Sequence, residues 1–150
     1  MGQSLVKNYL HITFSTKGRY PFIDKPVEKQ LHAYIASICN NIDCFAIKVG
    51  GYLDHVHIVS NLSKKVALIE LLRVIKANSS KWMKTNGDAY RNFCWQDGYA
   101  AFSVSPFELD AVVRYVETQR EHHQRTSFQD ELRALLKKHN IEYDERFIWD

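Results

Sequence analysis

The sequence has little cysteine, glycine or proline, and each shortage excludes a class of protein. Its cysteines, Cys39, Cys44 and Cys94, are an odd number without a C-x-x-C pair, which argues against a zinc ribbon or a disulfide framework. We expect buried, reduced thiols instead. Six glycines and three prolines among 150 residues leave no low-complexity segment or linker, and we find no internal repeat.

Long apolar runs are also missing. The first residues lack the apolar region of a signal peptide, and no run is long enough to cross a bilayer. We therefore expect a cytoplasmic protein with no membrane partner. The remaining composition, with 45% hydrophobic and 25% charged residues, is typical of one globular domain spanning residues 1–150.

Positive charge is concentrated in one stretch of a chain whose net charge is only +3. Residues 64–91 hold seven basic side chains against two acidic ones. Such a segment is typical of a phosphate-binding face, and equally of the solvated flank of a helix. The candidate phosphate contacts are Lys64, Lys65, Arg73, Lys76, Lys81, Lys84 and Arg91.

Hydrophobic periodicity and capping residues predict four strands and four helices in the order β-α-β-β-α-β-α-α. The predicted strands are residues 5–16, 44–51, 55–61 and 95–104, the last of them broken around residues 97–98. The predicted helices are residues 24–40, 65–85, 106–123 and 127–139. We interpret Gly50, Gly51 and Asp54 as the tight connection between the second and third strands. The order predicts an α+β fold, a ferredoxin-like split βαβ sandwich with two additional C-terminal helices. In that topology the third strand lies in the middle of the sheet.

Two histidines flank one valine within the predicted third strand, in the sequence His55-Val56-His57. Side chains alternate between the faces of a strand, so the two imidazoles point to one face and the neighbouring apolar side chains to the other. Two neutral imidazoles held on a rigid strand can bind one divalent metal. On its own, such a pair is also typical of half-exposed or hydrogen-bonded surface histidines.

The third predicted helix carries Tyr115 and, four residues later, Gln119. At 3.6 residues per turn, the two side chains lie on one side of the helix, at the flank of an apolar stripe that includes Val112 and Val116. A phenol and a carboxamide would then face a groove together. A border position on an amphipathic helix is the alternative interpretation.

Together these four side chains suggest one chemistry. His55, His57 and Gln119 can supply two imidazole nitrogens and one amide oxygen to a metal with open positions. A Mg²⁺ or Mn²⁺ ion there can hold a phosphodiester oxygen and neutralise charge in the transition state. Tyr115 can then attack phosphorus as the nucleophile, provided that a nearby cation or proton acceptor activates its phenol.

The same residues carry a resemblance to a known family. His55-Val56-His57 is similar to the HUH pattern of the HUH nucleases, in which a bulky hydrophobic residue separates two histidines. Residues 115–119, Tyr-Val-Glu-Thr-Gln, resemble the catalytic helix of the single-tyrosine subgroup. With similar flanks at 95–105 and 119–123, nearly the whole chain resembles the small bacterial insertion-sequence transposases of the IS-two-hundred and IS-six-hundred-and-five kind.

This resemblance implies a single HUH transposase domain that binds DNA hairpins and cuts single-stranded DNA. Tyr115 would form a 5′-phosphotyrosine link and release a 3′-hydroxyl, and a 3′-hydroxyl would later attack that link to rejoin strands. His55, His57 and Gln119 would hold the Mg²⁺ or Mn²⁺ ion that polarises the scissile phosphate. The family also implies a homodimer, in which the helix bearing the tyrosine completes the partner's histidine pair.

Two alternatives stay open at this point. One is a domesticated relative that nicks hairpin-bearing DNA without moving an element, and the other is a non-catalytic module that binds DNA hairpins. A surface role is expected for His122, with phosphate contact or proton transfer as its alternative. His11 is interpreted as an ordinary strand histidine.

Overall fold

The computed structural model describes residues 2–150 and has one antiparallel sheet of four strands, in the order β2-β3-β1-β4. The strands are β1 (Tyr9–Ser15), β2 (Ala46–Tyr52), β3 (His55–Asn61) and β4 (Ala100–Val104). The helices are α1 (Lys25–Asn41), α2 (Leu68–Lys84), α3 (Leu109–Glu117), α4 (Gln119–His122) and α5 (Phe128–Lys138). The order β1-α1-β2-β3-α2-β4, with β3 and β1 inside the sheet, confirms the predicted ferredoxin-like fold. Within the described residues, every helix is too short or too polar to span a membrane.

Alternation along the strands divides the sheet into two faces, and α1 and α2 cover the first face. Ile12 of β1 and Val56 and Ile58 of β3 point to this face and are fully buried. They belong to an apolar cluster that also includes Leu31 of α1 and Ile75 of α2. Each such buried side chain contributes about 1.5–3 kcal/mol, so this layer forms the main core.

The helices α3, α4 and α5 cover the second face, where a smaller apolar cluster fixes α5. Phe128 and Leu132 lie on one side of α5 and pack with Phe102 of β4. The Ser127 side chain accepts a hydrogen bond from the Asp130 backbone N–H at 3.1 Å, which caps the helix as predicted. The cap and the cluster together hold α5 against the sheet in one register.

The third predicted helix is shorter than expected and is broken. It begins at Leu109 and ends at Glu117, and the short helix α4 starts at Gln119. Between them Thr118 (φ −98°, ψ 19°) leaves the helical backbone, and its hydroxyl donates to the Arg114 carbonyl at 3.0 Å. Threonine hydroxyls that bond the preceding turn bend helices. The break accompanies the burial of Gln119 against the sheet.

Gly50 and Gly51 lie within β2 and allow close packing, whereas the turn between β2 and β3 lies at residues 53–54. The interpretation of both glycines as turn residues is therefore wrong. A Cβ on Gly50 would lie 2.5 Å from the Val116 carbonyl oxygen. Only glycine lets the backbone of α3 approach β2 this closely. Gly50 pairs with His57 across the β2–β3 ladder, so this close packing places α3 beside the two strand histidines.

Strand β4 begins at Ala100, after the break that the sequence predicts around residues 97–98. Trp95 instead forms an isolated bridge to Thr16, so the strand is interrupted around residues 97–98. The expectation of buried thiols holds for two of the three cysteines and is wrong for Cys94, which is exposed.

Candidate active site

His55 and His57 lie on the second face of the sheet, near its middle, because β3 is flanked by β1 and β2. The ladder sets His57 opposite Thr13 and His55 opposite Ser15, so both imidazoles point to the same face. Both histidines are fully buried. The predicted common orientation is confirmed, and the interpretation as surface histidines is wrong.

Side chains from α4, α5 and the loop between them meet this histidine pair. Gln119 Oε1 lies 3.0 Å from His55 Nε2. Glu131 Oε1 lies 2.9 Å from His57 Nε2 and 3.5 Å from His55 Nε2. His123 Nε2 lies 3.1 Å from the same oxygen. The ligand atoms of the two strand histidines, His123 and Glu131 all lie within 4.8 Å of one another.

Tyr115 lies on α3 beside this cluster and is half-buried. Its hydroxyl donates a hydrogen bond to Glu131 Oε2, whereas the other carboxylate oxygen, Oε1, faces His57. The Tyr115 ring centroid is 5.6 Å from that of His57 and 5.9 Å from that of His11. The tyrosine, the histidine pair and Gln119, all expected from the sequence, therefore meet within a single chain.

His11 of β1 is buried in the same cluster, where its Nε2 lies 2.7 Å from His57 Nδ1. An ionised carboxylate can only accept a hydrogen bond, so His57 donates to Glu131 from Nε2. His57 Nδ1 then accepts from His11 Nε2. If His57 Nε2 binds a metal instead, the hydrogen of His57 lies on Nδ1 and is donated to His11 Nε2, so His11 can support either tautomer of His57. The sequence did not reveal this role.

The electrostatics of the cluster favour an ionised Glu131 beside neutral His57 and His11. Burial lowers the pKa of His123, but the hydrogen bond to Glu131 and the charge of that carboxylate outweigh burial and raise it above its usual value. Burial opposes ionisation of Glu131, but the facing imidazoles of His57 and His123 outweigh it and hold the pKa of the carboxyl well below its usual range. Burial lowers the pKa of His57 although Glu131 opposes the shift. Burial and the neighbouring His57 lower the pKa of His11 to about 3. Neutral imidazole is the form that binds metals.

The phenol of Tyr115 is held in its neutral form. Burial, followed by the charge of Glu131 and the hydrogen bond to it, raises the pKa of Tyr115 above its usual value. A cavity of about 290 Å³ lies against the phenol, between β4, α3 and α5. Tyr115 and His11 both line it, so a ligand that enters this space can reach the tyrosine.

Glu131 and His123 are the members of the cluster for which the sequence indicated no role. One available signal is that Glu131 lies between Phe128 and Leu132, on the apolar side of the predicted fourth helix. A carboxylate on such a side is rarely buried unless it is paired. His122, for which a surface role was expected, is partly exposed, with its Nε2 3.5 Å from Glu131 Oε2.

The candidate phosphate contacts lie away from the cluster. Most of them are on or just beyond α2, whose apolar side packs on the first face of the sheet, and six of the seven are exposed. Lys76 is the exception, because its ammonium donates to the carbonyl oxygens of residues 96–98 at 2.7–2.9 Å. All three of its donors are used within the protein, so we no longer expect Lys76 to bind phosphate.

Comparison with known families gives one match that covers most of the chain. The family model described as "Transposase IS200 like" matches residues 4–119. This range contains the histidine pair, Tyr115 and Gln119, and it ends before His123 and Glu131. No curated relative matches the chain.

Two solved structures share the fold at low sequence identity. One is a crystal structure from Deinococcus radiodurans R1 of a protein assigned as a transposase, with 18% identity, a TM-score of 0.61, and coverage of 79% of this chain and 96% of that chain. The other is a REP-associated tyrosine transposase bound to a REP hairpin, with 13% identity, a TM-score of 0.60, and coverage of 82% and 73%. At these identities the likeness supports the fold.

Proposed function

Because the chain belongs to the IS200-like transposase family, we propose that it cuts single-stranded DNA beside hairpins and rejoins the cut strands, with Tyr115 as the nucleophile. The observation that carries this proposal is that Tyr115 is hydrogen-bonded to the carboxylate that also faces His55 and His57. A phenol beside a group of metal-binding side chains meets the needs of tyrosine-mediated phosphodiester cleavage.

The residues of the cluster fit a divalent metal. Three imidazoles and one carboxylate bring their ligand atoms together, and within residues 2–150 the buried His123 Nε2 lacks a hydrogen-bond partner of good geometry. We propose that His55, His57 and Gln119 contribute to holding Mg²⁺ or Mn²⁺, as the family resemblance implies. Such an ion would neutralise negative charge on the scissile phosphate.

Tyr115 would carry the covalent step. Its hydroxyl oxygen attacks phosphorus, the bond from phosphorus to the 3′ oxygen breaks, and the product is a 5′-phosphotyrosine link with a free 3′-hydroxyl. Glu131 Oε2 already accepts the phenol hydrogen, so it is situated to take that proton as the new bond forms. The proton then passes on to the leaving 3′ oxygen, which becomes the 3′-hydroxyl. In the reverse direction a 3′-hydroxyl attacks the link, the strands are rejoined, and the phenol recovers its proton.

We propose that Tyr115 acts with the histidines of its own subunit. The support is the 5.6 Å between the ring centroids of Tyr115 and His57 within one chain. The homodimer and the cytoplasmic location expected from the sequence stay predictions.

Hairpin DNA is the proposed partner. The support is the similarity in fold to a transposase that was solved with a REP hairpin. The six exposed basic residues between Lys64 and Arg91 are proposed contacts to its phosphates.

The test is capture of the covalent intermediate. Single-stranded oligonucleotides that carry the imperfect palindromes flanking the gene would be labelled at the 3′ end, because the proposed link retains the downstream fragment. Incubation with Mn²⁺ or Mg²⁺ should give a labelled protein band that survives denaturing electrophoresis. Tyr115→Phe should abolish the band, and Tyr20→Phe, which changes an exposed tyrosine, should leave it unchanged.

Each outcome separates the candidates. An adduct that persists in Tyr115→Phe would refute the nucleophile assignment. Hairpin binding without any adduct, across both metals and all flanking palindromes, would favour the non-catalytic binding module. Adduct formation without rejoining of strands would favour the domesticated nickase.

A further inference from the structure

Two side chains that lie beyond the family match enter the histidine cluster. The match ends at Gln119, whereas His123 follows α4 and Glu131 lies on α5. Each has its side chain 2% exposed, and His123 Nε2 lies 3.1 Å from Glu131 Oε1. The segment after residue 119 therefore contributes buried, metal-ligating groups to a site whose other members lie within the matched region.

From this arrangement we infer that Glu131 is the anionic metal ligand of the site and His123 an additional one, with Gln119 secondary to both. The inference rests on the proposed function, since it assumes the metal that the family resemblance implies. It goes beyond that function, because it moves the main third ligand from α4 to α5.

Converging lone pairs support a cation at this point. Asp54 Oδ1 lies 2.8 Å from His55 Nδ1, and since a carboxylate accepts, His55 donates from Nδ1. With that hydrogen on Nδ1, Nε2 is the nitrogen of His55 that can bind a metal. The nearest facing atoms are Gln119 Oε1 at 3.0 Å and Glu131 Oε1 at 3.5 Å, which are both acceptors. Neither oxygen brings a hydrogen to this nitrogen, and although Glu131 Oε1 also faces His57, a cation bound among the three atoms would stabilise their lone pairs together.

The charge of Glu131 separates it from Gln119. Mg²⁺ and Mn²⁺ are hard cations that prefer carboxylate oxygens, and a neutral amide oxygen contributes less attraction. Gln119 also uses its amide group to donate to the Tyr115 carbonyl at 3.3 Å, which holds the side chain beside His55. Its main effect would be to position that imidazole.

The two oxygens of Glu131 have different partners. Oε1 faces the imidazoles, and Oε2 accepts the hydrogen of the Tyr115 hydroxyl. One carboxylate therefore joins the metal ligands to the nucleophile. A change at Glu131 should consequently affect metal affinity and the phenol together, whereas a change at His123 should affect metal affinity alone.

The experiment measures Mn²⁺ binding without DNA, by isothermal titration calorimetry, in the Tyr115→Phe background. Glu131→Gln preserves the shape of the side chain and removes its charge, and Glu142→Gln is the matched control on an exposed carboxylate of the same segment. We expect Glu131→Gln to weaken Mn²⁺ binding by more than about 100-fold, His123→Gln by about 10- to 100-fold, and Gln119→Ala by less than about 10-fold. The control should bind Mn²⁺ with unchanged affinity.

Unchanged affinity in both Glu131→Gln and His123→Gln would overturn the inference, as would a larger loss in Gln119→Ala than in Glu131→Gln. If Glu131→Gln does not fold by circular dichroism, the His123→Gln variant decides the question. A purely structural carboxylate would change the melting temperature but leave the stabilisation by added Mn²⁺ intact. Failure here leaves the adduct assay unaffected, so the two proposals fail separately.

Discussion

The Tyr115 hydroxyl donates a hydrogen bond to Glu131 Oε2 while Glu131 Oε1 lies 2.9 Å from His57 Nε2. The contact joins α3 to α5, which are separated along the chain by the break at Thr118 and by α4. Burial raises the pKa of the Tyr115 phenol, and the carboxylate in this contact raises it further, so the phenol is neutral.

Removing the charge of Glu131 should ease ionisation of Tyr115. In Glu131→Gln without metal, the pKa of Tyr115 should fall towards the usual value of about 10, because burial remains but the repulsion from the carboxylate is lost. Ultraviolet difference spectra against Tyr115→Phe measure this titration. The pKa of Tyr115 is higher in the folded protein than in the unfolded chain, so the unfolded chain loses its phenol proton first as the pH rises. Above a pH of about 10 the protein should therefore lose stability relative to Tyr115→Phe. An unchanged titration in Glu131→Gln would contradict the contact.

Loss of either strand histidine should separate cutting from binding. His55→Ala and His57→Ala should each lower the rate of DNA cleavage by at least about 100-fold, because each removes a metal ligand. Hairpin affinity should change by less than about threefold, since binding rests on phosphate contacts elsewhere. Adduct assays and fluorescence anisotropy with a labelled hairpin measure the two effects. Parallel loss of cleavage and binding would mean that the histidines serve folding.

Mixing two inactive variants tests whether the site lies in one chain. We expect an equimolar mixture of Tyr115→Phe and His57→Ala to stay inactive, because each tyrosine is paired with the histidines of its own subunit. The labelled-adduct assay measures recovery after co-refolding. If the mixture instead forms about a quarter or more of the adduct that the native protein forms, the protein is a homodimer in which each subunit's Tyr115 helix completes the site of the other subunit.

The exposed basic residues of α2 should govern the salt dependence of binding. Lys81→Ala together with Lys84→Ala should reduce the slope of log affinity against log salt by about 1–2, since each lost phosphate contact removes about 0.7–0.9. Lys76→Met is the matched control, because its ammonium is used within the protein. The Lys76→Met variant should have a lower free energy of unfolding, and its slope of log affinity against log salt should be unchanged. A slope that is indifferent to Lys81 and Lys84 would mean that phosphate binds to another surface.

Gly50→Ala should destabilise the fold and disturb the site. The added Cβ would meet the Val116 carbonyl oxygen at 2.5 Å, so α3 must shift, at a cost of about 1–3 kcal/mol. Urea unfolding followed by circular dichroism measures this loss. Gly2→Ala, where no atom lies within 4 Å of the added Cβ, should be neutral. Equal stability of both variants would contradict the close approach of α3 to β2.

The sequence by itself determined the order of the elements, the ferredoxin-like fold and the common face of His55 and His57. Those features depend on local periodicity: side chains on one face recur at every second residue in a strand and at about every fourth residue in a helix. The helix bearing Tyr115 and Gln119 was recognisable for the same reason, although its break at Thr118 was not.

Only the tertiary structure decided what surrounds the histidine pair. Glu131 lies 74 residues from His57 along the chain, and His11 lies 46 residues from it, so no local spacing links them. Their meeting depends on how α5 packs through Phe128 and on how β1 pairs with β3. Long-range packing, rather than any pattern in the sequence, joined the carboxylate to the tyrosine.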